Sequence, residues 1–258
     1  MKSTRFLVPG LAAALCVALA APALADVTLK SKGSGKGMVG AALGDMTQFV
    51  KGTKLRMDQT TGSGRNQSTI IDAAARRMIV IDHEKKQAQV IDMTSLGQSL
   101  EKVGVADMSL AITPTSQTRT VAGTSCTVYD VKVAVPMQGA GITMVMSGPQ
   151  CLAKNGPGMA DFAAFYKAVA EKGGFFLDPS QAKAQPAAAK AMAEMQRRMA
   201  ELGVPLSAET TIAMDGTGPM AEMMKKMSNT ITTEVVSIST DAIPDSTFEV
   251  PAGYAVKK

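Results

Sequence analysis

The stretch STIIDAAARRMIVIDHEKKQAQVID, residues 68–92, decides the fold. It contains three short apolar runs, Ser68–Asp72, Met78–Asp82 and Ala88–Asp92, each closed by an aspartate. Asp72, Asp82 and Asp92 stand ten residues apart, with the polar or small turns Ala73–Arg76 and His83–Lys86 between the runs. Parallel strands need a crossover of about a dozen residues or more, usually a helix, and ten residues cannot hold two strands and that crossover. The spacing therefore predicts consecutive antiparallel hairpins and excludes βαβ units.

The same pattern extends in both directions. Upstream, Phe49–Gln59 (FVKGTKLRMDQ) reads as two strand ends around a Lys51-Gly52-Thr53 turn, preceded by a strand at Val27–Lys32 and a loose Lys32–Gly37. Downstream, Thr94–Val103 is a short helix and Met108–Ile112 and Gln117–Val121 are two further strands. Tyr129, Val131, Val133 and Val135 then alternate with Asp130 and Lys132, and Ile142, Met144 and Met146 follow beyond a Pro136–Gly141 loop. Alternation of this kind marks half-buried strands. Helix is concentrated in the Ala- and Met-rich segment at about 159–227. Phe162, Phe165, Tyr166 and Val169 fall at i, i+3, i+4 and i+7, with a stop at Lys172-Gly173-Gly174. A second helix runs from Pro186 to Leu202-Gly203. Strands resume at Leu206–Met214 and Thr230–Thr240, and Phe248–Val256 closes the chain. About ten strands with some three helices give a mainly β, α+β fold: a large antiparallel sheet or barrel with a helical cover.

Residues 1–25 read as a cleaved signal peptide. Lys2 and Arg5 precede an apolar run, and Ala23-Leu24-Ala25 offers small residues where a signal peptidase cuts, leaving Asp26 as the new terminus. No other stretch is long enough to span a bilayer, so the mature chain is expected to have no transmembrane segment and to reside in the periplasm. Losing Lys2 and Arg5 lowers the formal charge from +5 to +3. That charge is evenly spread and not interleaved with aromatics, which argues against nucleic acid. With one histidine in 258 residues, Ser-His and Cys-His nucleophilic sites and multi-His metal sites are excluded or strained.

Cys126 and Cys151 remain after cleavage. Pairing Val135 with Ile142 carries the register through Val133–Met144 and Val131–Met146 to place Cys126 opposite Cys151, so a cross-strand disulfide is expected, with Pro149 a possible cause of a bulge. Its worth in the chain-entropy account is about 3 kcal/mol. Gly35-Lys-Gly37-Met-Val-Gly40 fits G-x-G-x-x-G but lacks the strand-and-helix setting of a dinucleotide site, and is read as a loop. His83 is read as a solvated turn residue in preference to a metal ligand or proton carrier. No G-x-S-x-G or H-E-x-x-H occurs. The unusual signal is methionine, 19 in the chain. Met220, Met223, Met224 and Met227 share one helix face, as do Met192, Met195 and Met199. Three readings stand: ordinary core packing, an adaptable apolar surface for a flexible ligand, or soft thioether ligands for Cu(I).

Phe49–Met57, Ile70–Asp92, Val121–Tyr129 and Phe248–Tyr254 taken together resemble the bacterial exported family called domain of unknown function 4412 (DUF4412). That family is similar in fold to the periplasmic lipoprotein carriers LolA and LolB. The resemblance implies a single LolA-like domain over 26–258, an incomplete antiparallel barrel around a hydrophobic cavity with helices over the opening. It implies no established chemistry. The expectation is a non-enzymatic protein, without cofactor, that binds lipid or lipoprotein acyl chains. The ligand would lie against Phe162, Phe165, Tyr166, Met192, Met195, Met199, Met223 and Met227. The alternatives are Cu(I) handling by Met220, Met223, Met224 and Met227, or a purely structural or interaction role.

Overall fold

The computed structural model describes residues 26–36, 43–60, 64–93, 109–137, 142–171, 197–198, 200–217 and 229–257. The signal segment, the helix expected at Thr94–Val103 and most of the Ala- and Met-rich stretch lie outside them.

The hairpins of 68–92 form as the spacing requires: β4 (Asn66–Asp72), β5 (Arg77–Asp82) and β6 (Gln87–Asp92). The recurring aspartate has a local cause. Asp72 Oδ1 accepts the Ala75 amide at 3.0 Å, and Asp82 Oδ1 accepts the Lys85 amide at 2.9 Å. Each side chain thus closes the turn that follows its own strand. Arg76 and Lys86, the last turn residues, take positive φ of 51° and 50°.

Before them lie β1 (Val27–Lys36), β2 (Met46–Lys51) and β3 (Lys54–Thr60), with the β2–β3 turn where Gly52 and Thr53 predict it. After them come β7 (Ser109–Val121), β8 (Thr124–Met137), β9 (Ile142–Ala153), helix α1 (Met159–Glu171), β10 (Val204–Gly216), β11 (Asn229–Ser239) and the short β12 (Ala255–Lys257). They form one open twelve-stranded sheet in the order β12-β6-β5-β4-β3-β2-β1-β11-β10-β9-β8-β7. Every pairing is antiparallel except β12 with β6. The fold is the mainly β class, with few helices, that the sequence implies.

Several boundaries differ from the sequence reading. β1 continues through Gly33 and Gly35 to Lys36 because β11 supplies partners as far as Thr230, so residues 32–36 are strand where a loop was expected. The two strands expected around 108–112 and 117–121 are one strand over the described residues, β7 from Ser109 to Val121, whose register slips between Pro114 and Thr118. Proline offers no ladder donor there, and Thr115 Oγ1 instead donates to the Val128 carbonyl at 2.7 Å. The β8–β9 hairpin pairs Val133 with Met146, two residues from the expected register, and Pro136 lies in strand. A two-residue shift leaves every side chain on its face. The Cys126–Cys151 disulfide forms regardless, diagonally across the ladder with Cα atoms 5.3 Å apart, because Cys151 sits opposite Val128. Pro149 pairs with Asp130 without shifting that register.

The sheet does not lie flat. β7 and β11 touch, whereas four strand spacings in a flat sheet would separate them by about 19 Å. Arg119 of β7 reaches Ser207 Oγ in β10 at 3.4 Å and Glu234 in β11 at 3.6 Å. Irregularities at Lys30/Ser31, Pro114/Thr118 and Pro205/Ser207 supply the bend. The product is a rolled, unclosed half-barrel.

Its two faces are covered differently. On one, α1 lays Met159, Phe162, Phe165 and Val169, each at most 2% exposed, into the principal core with Val27, Leu29, Val50 and Leu206. Gly158, at φ +72°, admits α1 to this position: a Cβ there would stand 2.1 Å from Val27 Cγ2. On the other face, Ile70, Ile79, Ile81 and Ala88 pack against Ile243 and Phe248 of the C-terminal segment. That strap is tied by polar contacts. Lys51 Nζ donates to the Ile243 carbonyl at 2.7 Å and pairs with Asp245 at 2.9 Å, while the Ile243 amide donates to Asp26 at 2.6 Å.

Two outcomes follow. The β7–β8 turn is the two-residue Ala122-Gly123, with φ of 48° and 76°. Positive φ at both positions is the type I′ geometry that favours Asn before Gly. Ala122→Asn is expected to raise stability by about 0.5–1 kcal/mol, read in denaturant melts, since Asn tolerates this conformation better than Ala. The second concerns pH. The hydrogen bond and charge of Lys51 hold the Asp245 carboxyl below its ordinary 3.8, and Asp245 raises Lys51 above its ordinary 10.5. The pair therefore contributes fully between those ordinary values. It weakens as pH falls through the lowered acid pKa or rises through the raised amine pKa. Hydrogen exchange of 243–257 should quicken at both extremes relative to the rest of the sheet, once intrinsic pH effects are divided out. Lys51→Met should remove that excess.

Candidate functional site

Two recesses on opposite faces of the sheet gather side chains of chemical interest. The first lies under α1. Tyr166, one residue past the buried Phe165, closes a cavity of about 150 Å³ over β1, β2, β9, β10 and β11. Its apolar wall is Leu29, Met46, Val204, Leu206 and Val235, and Ser31, Gln48, Gln150, Thr233 and Glu234 contribute polar atoms. Val204 and Leu206 share one face of β10 by strand alternation and both are buried, and Leu206 is the extra residue at the irregularity between Pro205 and Ser207. Burial pushes the Tyr166 phenol above the usual tyrosine range, so the hydroxyl stays protonated and remains a donor.

Of the side chains expected to meet an apolar ligand, Phe162 and Phe165 are 1% and 0% exposed and serve the core, whereas Tyr166 borders the cavity. Met192, Met195, Met199, Met223 and Met227 lie outside the described residues, as do Met220 and Met224 of the Cu(I) alternative. What the described residues fix is where those segments attach. The 217–228 connection joins Gly216, paired with Ile142, to Asn229, paired with Ile212. β1 ends at the same rim, where Lys36 pairs with Thr230. Among the described residues, no group of three or more His, Cys, Asp or Glu side chains is placed to hold a metal.

The second recess, about 440 Å³, is polar and opens on the strap side between Asp45, Arg56, Asp58, Asn66, Ser68 and His83. Here the expectation for His83 is corrected. It is half-buried and doubly engaged, with Nε2 2.6 Å from Ser68 Oγ and Nδ1 3.0 Å from the Tyr254 hydroxyl. The sequence missed this because Tyr254 is 171 residues away and arrives only with the strap. A serine 2.6 Å from a histidine invites a nucleophilic reading, and the network decides against it. Ser68 is 1% exposed and has one proton. Asp58 Oδ1, held by Arg56 Nε at 2.6 Å, accepts that proton from Ser68 at 2.6 Å. Arg56 Nη2 can only donate to Ser68, at 3.2 Å. His83 Nε2 must then also donate to Ser68, and Nδ1 accepts from Tyr254. A general base has to accept the serine proton, and in this assignment the Nε2 that faces Ser68 already carries one.

Arg56 Nη1 also donates to the Thr247 carbonyl at 2.7 Å. The cluster thus grips the strap at both Thr247 and Tyr254. A fluorophosphonate serine probe is expected to leave Ser68 unlabelled. Ser68→Ala should cost about 1–3 kcal/mol, because it strips partners from three buried or half-buried polar groups. Labelling, or a variant as stable as the parent, would contradict the assignment.

Comparison with known proteins adds the following. No curated protein matches the sequence. The crystal structure of the Mycobacterium tuberculosis lipoprotein LppX aligns with 86% of this chain and 89% of its own, at 11% identity and a TM-score of 0.35. Residues 38–146, from the approach to β2 into β9, match the family model described as Domain of unknown function (DUF4412), the family that the sequence motifs resemble.

Proposed function

We propose that this chain is an exported periplasmic protein without catalytic activity, one that binds a lipid or acyl chain between α1 and the half-barrel. The observation that carries the reading is the cavity under Tyr166. It is walled by Leu29, Met46, Val204, Leu206 and Val235 and lies beside a core that the helix has already filled. A cavity of about 150 Å³ is of the size that accepts a benzene-sized apolar guest. Each buried methylene contributes about 0.8 kcal/mol, so this volume alone supports weak, unselective binding of a chain end. The remainder of a longer chain would lie against the methionine segments outside the described residues, with Met192, Met195, Met199, Met223 and Met227 as the contacts. Thioether side chains bend to fit chains of varied shape, which suits that role.

The absence of catalysis rests on the proton arrangement at Ser68 and His83, the strongest nucleophilic geometry among the described residues. Export rests on the basic start, apolar run and Ala23-Leu24-Ala25 of the signal segment.

Purification from the periplasm followed by mass spectrometry tests both parts. The mature chain should begin at Asp26 and release lipid on extraction with organic solvent. Ala208 lines the cavity, and Ala208→Trp would fill it. Uptake of the uncharged probe N-phenyl-1-naphthylamine should fall at least tenfold in that variant. A lipid-free protein whose wild type also ignores the probe would overturn the reading.

A further inference from the structure

The cavity wall has a charge pattern that its apolar content alone does not require. Among the described residues lining it there is no lysine, arginine or histidine. Its ionisable members, Glu234 and Tyr166, are both acids, and burial keeps the Tyr166 phenol neutral. The other polar members, Ser31, Gln48, Gln150 and Thr233, are uncharged hydroxyls and amides. Arg119 lines the adjoining hollow, which shares Ala208, Thr233 and Glu234 with the cavity, and there it is engaged by Glu234 at 3.6 Å and Ser207 Oγ at 3.4 Å.

We infer that the cavity selects ligands whose polar end is uncharged, an ester, amide or alcohol on an apolar chain, and excludes free carboxylates. The inference rests on the proposed lipid binding and adds to it the chemical class of the head. An ionised carboxylate entering here would give up water and gain no cation, and unpaired buried charge costs several kcal/mol. An ester or amide needs only neutral donors and acceptors. The carboxamides of Gln48 and Gln150 offer both, the hydroxyls of Thr233 and Tyr166 can donate, and all of these groups lie around the apolar wall. Glu234, the one charged group among the described lining residues, already pairs with Arg119 and offers a second carboxylate no attraction, whereas a neutral head asks none of it.

Competition on the mature protein tests this. Methyl oleate, 1-monooleoylglycerol and sodium oleate would each displace bound N-phenyl-1-naphthylamine at pH 9, with every lipid below its aggregation limit. The neutral pair should displace the probe at concentrations at least tenfold lower than oleate. Gln150→Lys or Gln48→Lys puts a cation at the lining and should close or reverse that gap, chiefly by improving oleate. Two positions guard against one variant failing to fold, and circular dichroism reports folding in each. Equal displacement by ester and acid in the wild type sinks the selectivity and leaves lipid binding standing. Failure of the wild type to bind the probe or any of the lipids sinks both. A native preference for the neutral lipids that neither lysine variant alters also overturns the inference, since the discrimination would then not arise from this wall.

Discussion

A sheet face that carries apolar side chains has to be kept from water, and this open sheet carries them on both of its faces. The rest of this structure answers that constraint. α1 covers one face through a stripe of four nearly inaccessible side chains, and the C-terminal strap covers the opposite face at β4, β5 and β6. Apolar burial supplies the larger part of both, at about 25 cal/mol per Å². The strap also depends on buried polar geometry, since backbone groups brought down onto an apolar face must find partners. Lys51, Arg56 and Asp26 supply them from β2, β3 and the start of β1.

The same constraint explains why the polar cluster around Ser68 is tight without being reactive. It sits where the strap crosses from apolar packing to open recess, and each atom in it is assigned to holding something. A chain of donors running from Tyr254 through His83 and Ser68 to Asp58 fixes the strap's end relative to three strands. The cavity under α1 has the opposite character. It is a place where packing stops short, bounded by an irregular strand and by an aromatic side chain that covers it without filling it. Space of that kind under a helix is available to a ligand, whereas the Ser68 network is already occupied by the protein itself.

How much of this could be read in advance depended on range. The Asp72 and Asp82 turns were legible because their causes lie within three residues, and the α1 stripe because helical period and burial coincide. Cys126 and Cys151 were legible as a pair, although the register that joins them was off by two, since alternation fixes the face of a strand but not its exact partner. β1 was underestimated at its glycines: local propensity reads loop, while β11 alongside imposes strand. His83 was misread for a related reason. Its neighbours in sequence are solvent-facing, and the residues that engage it come from β4 and from the far end of the chain.

The sequence by itself determined the class of architecture, the hairpin order, the helix that covers the sheet and the identity of the disulfide. Each is set by period, spacing or composition over a few tens of residues. Tertiary structure alone decided where the sheet bends, that the C-terminus returns to cap its second face, and that a cavity with no cation among its described lining residues lies under Tyr166. These depend on strands far apart in sequence meeting at particular angles. Bulges at three ladders and a glycine pressed against Val27 set those angles. No local pattern records the sum of such small rotations, and so the candidate site emerged only from the folded chain.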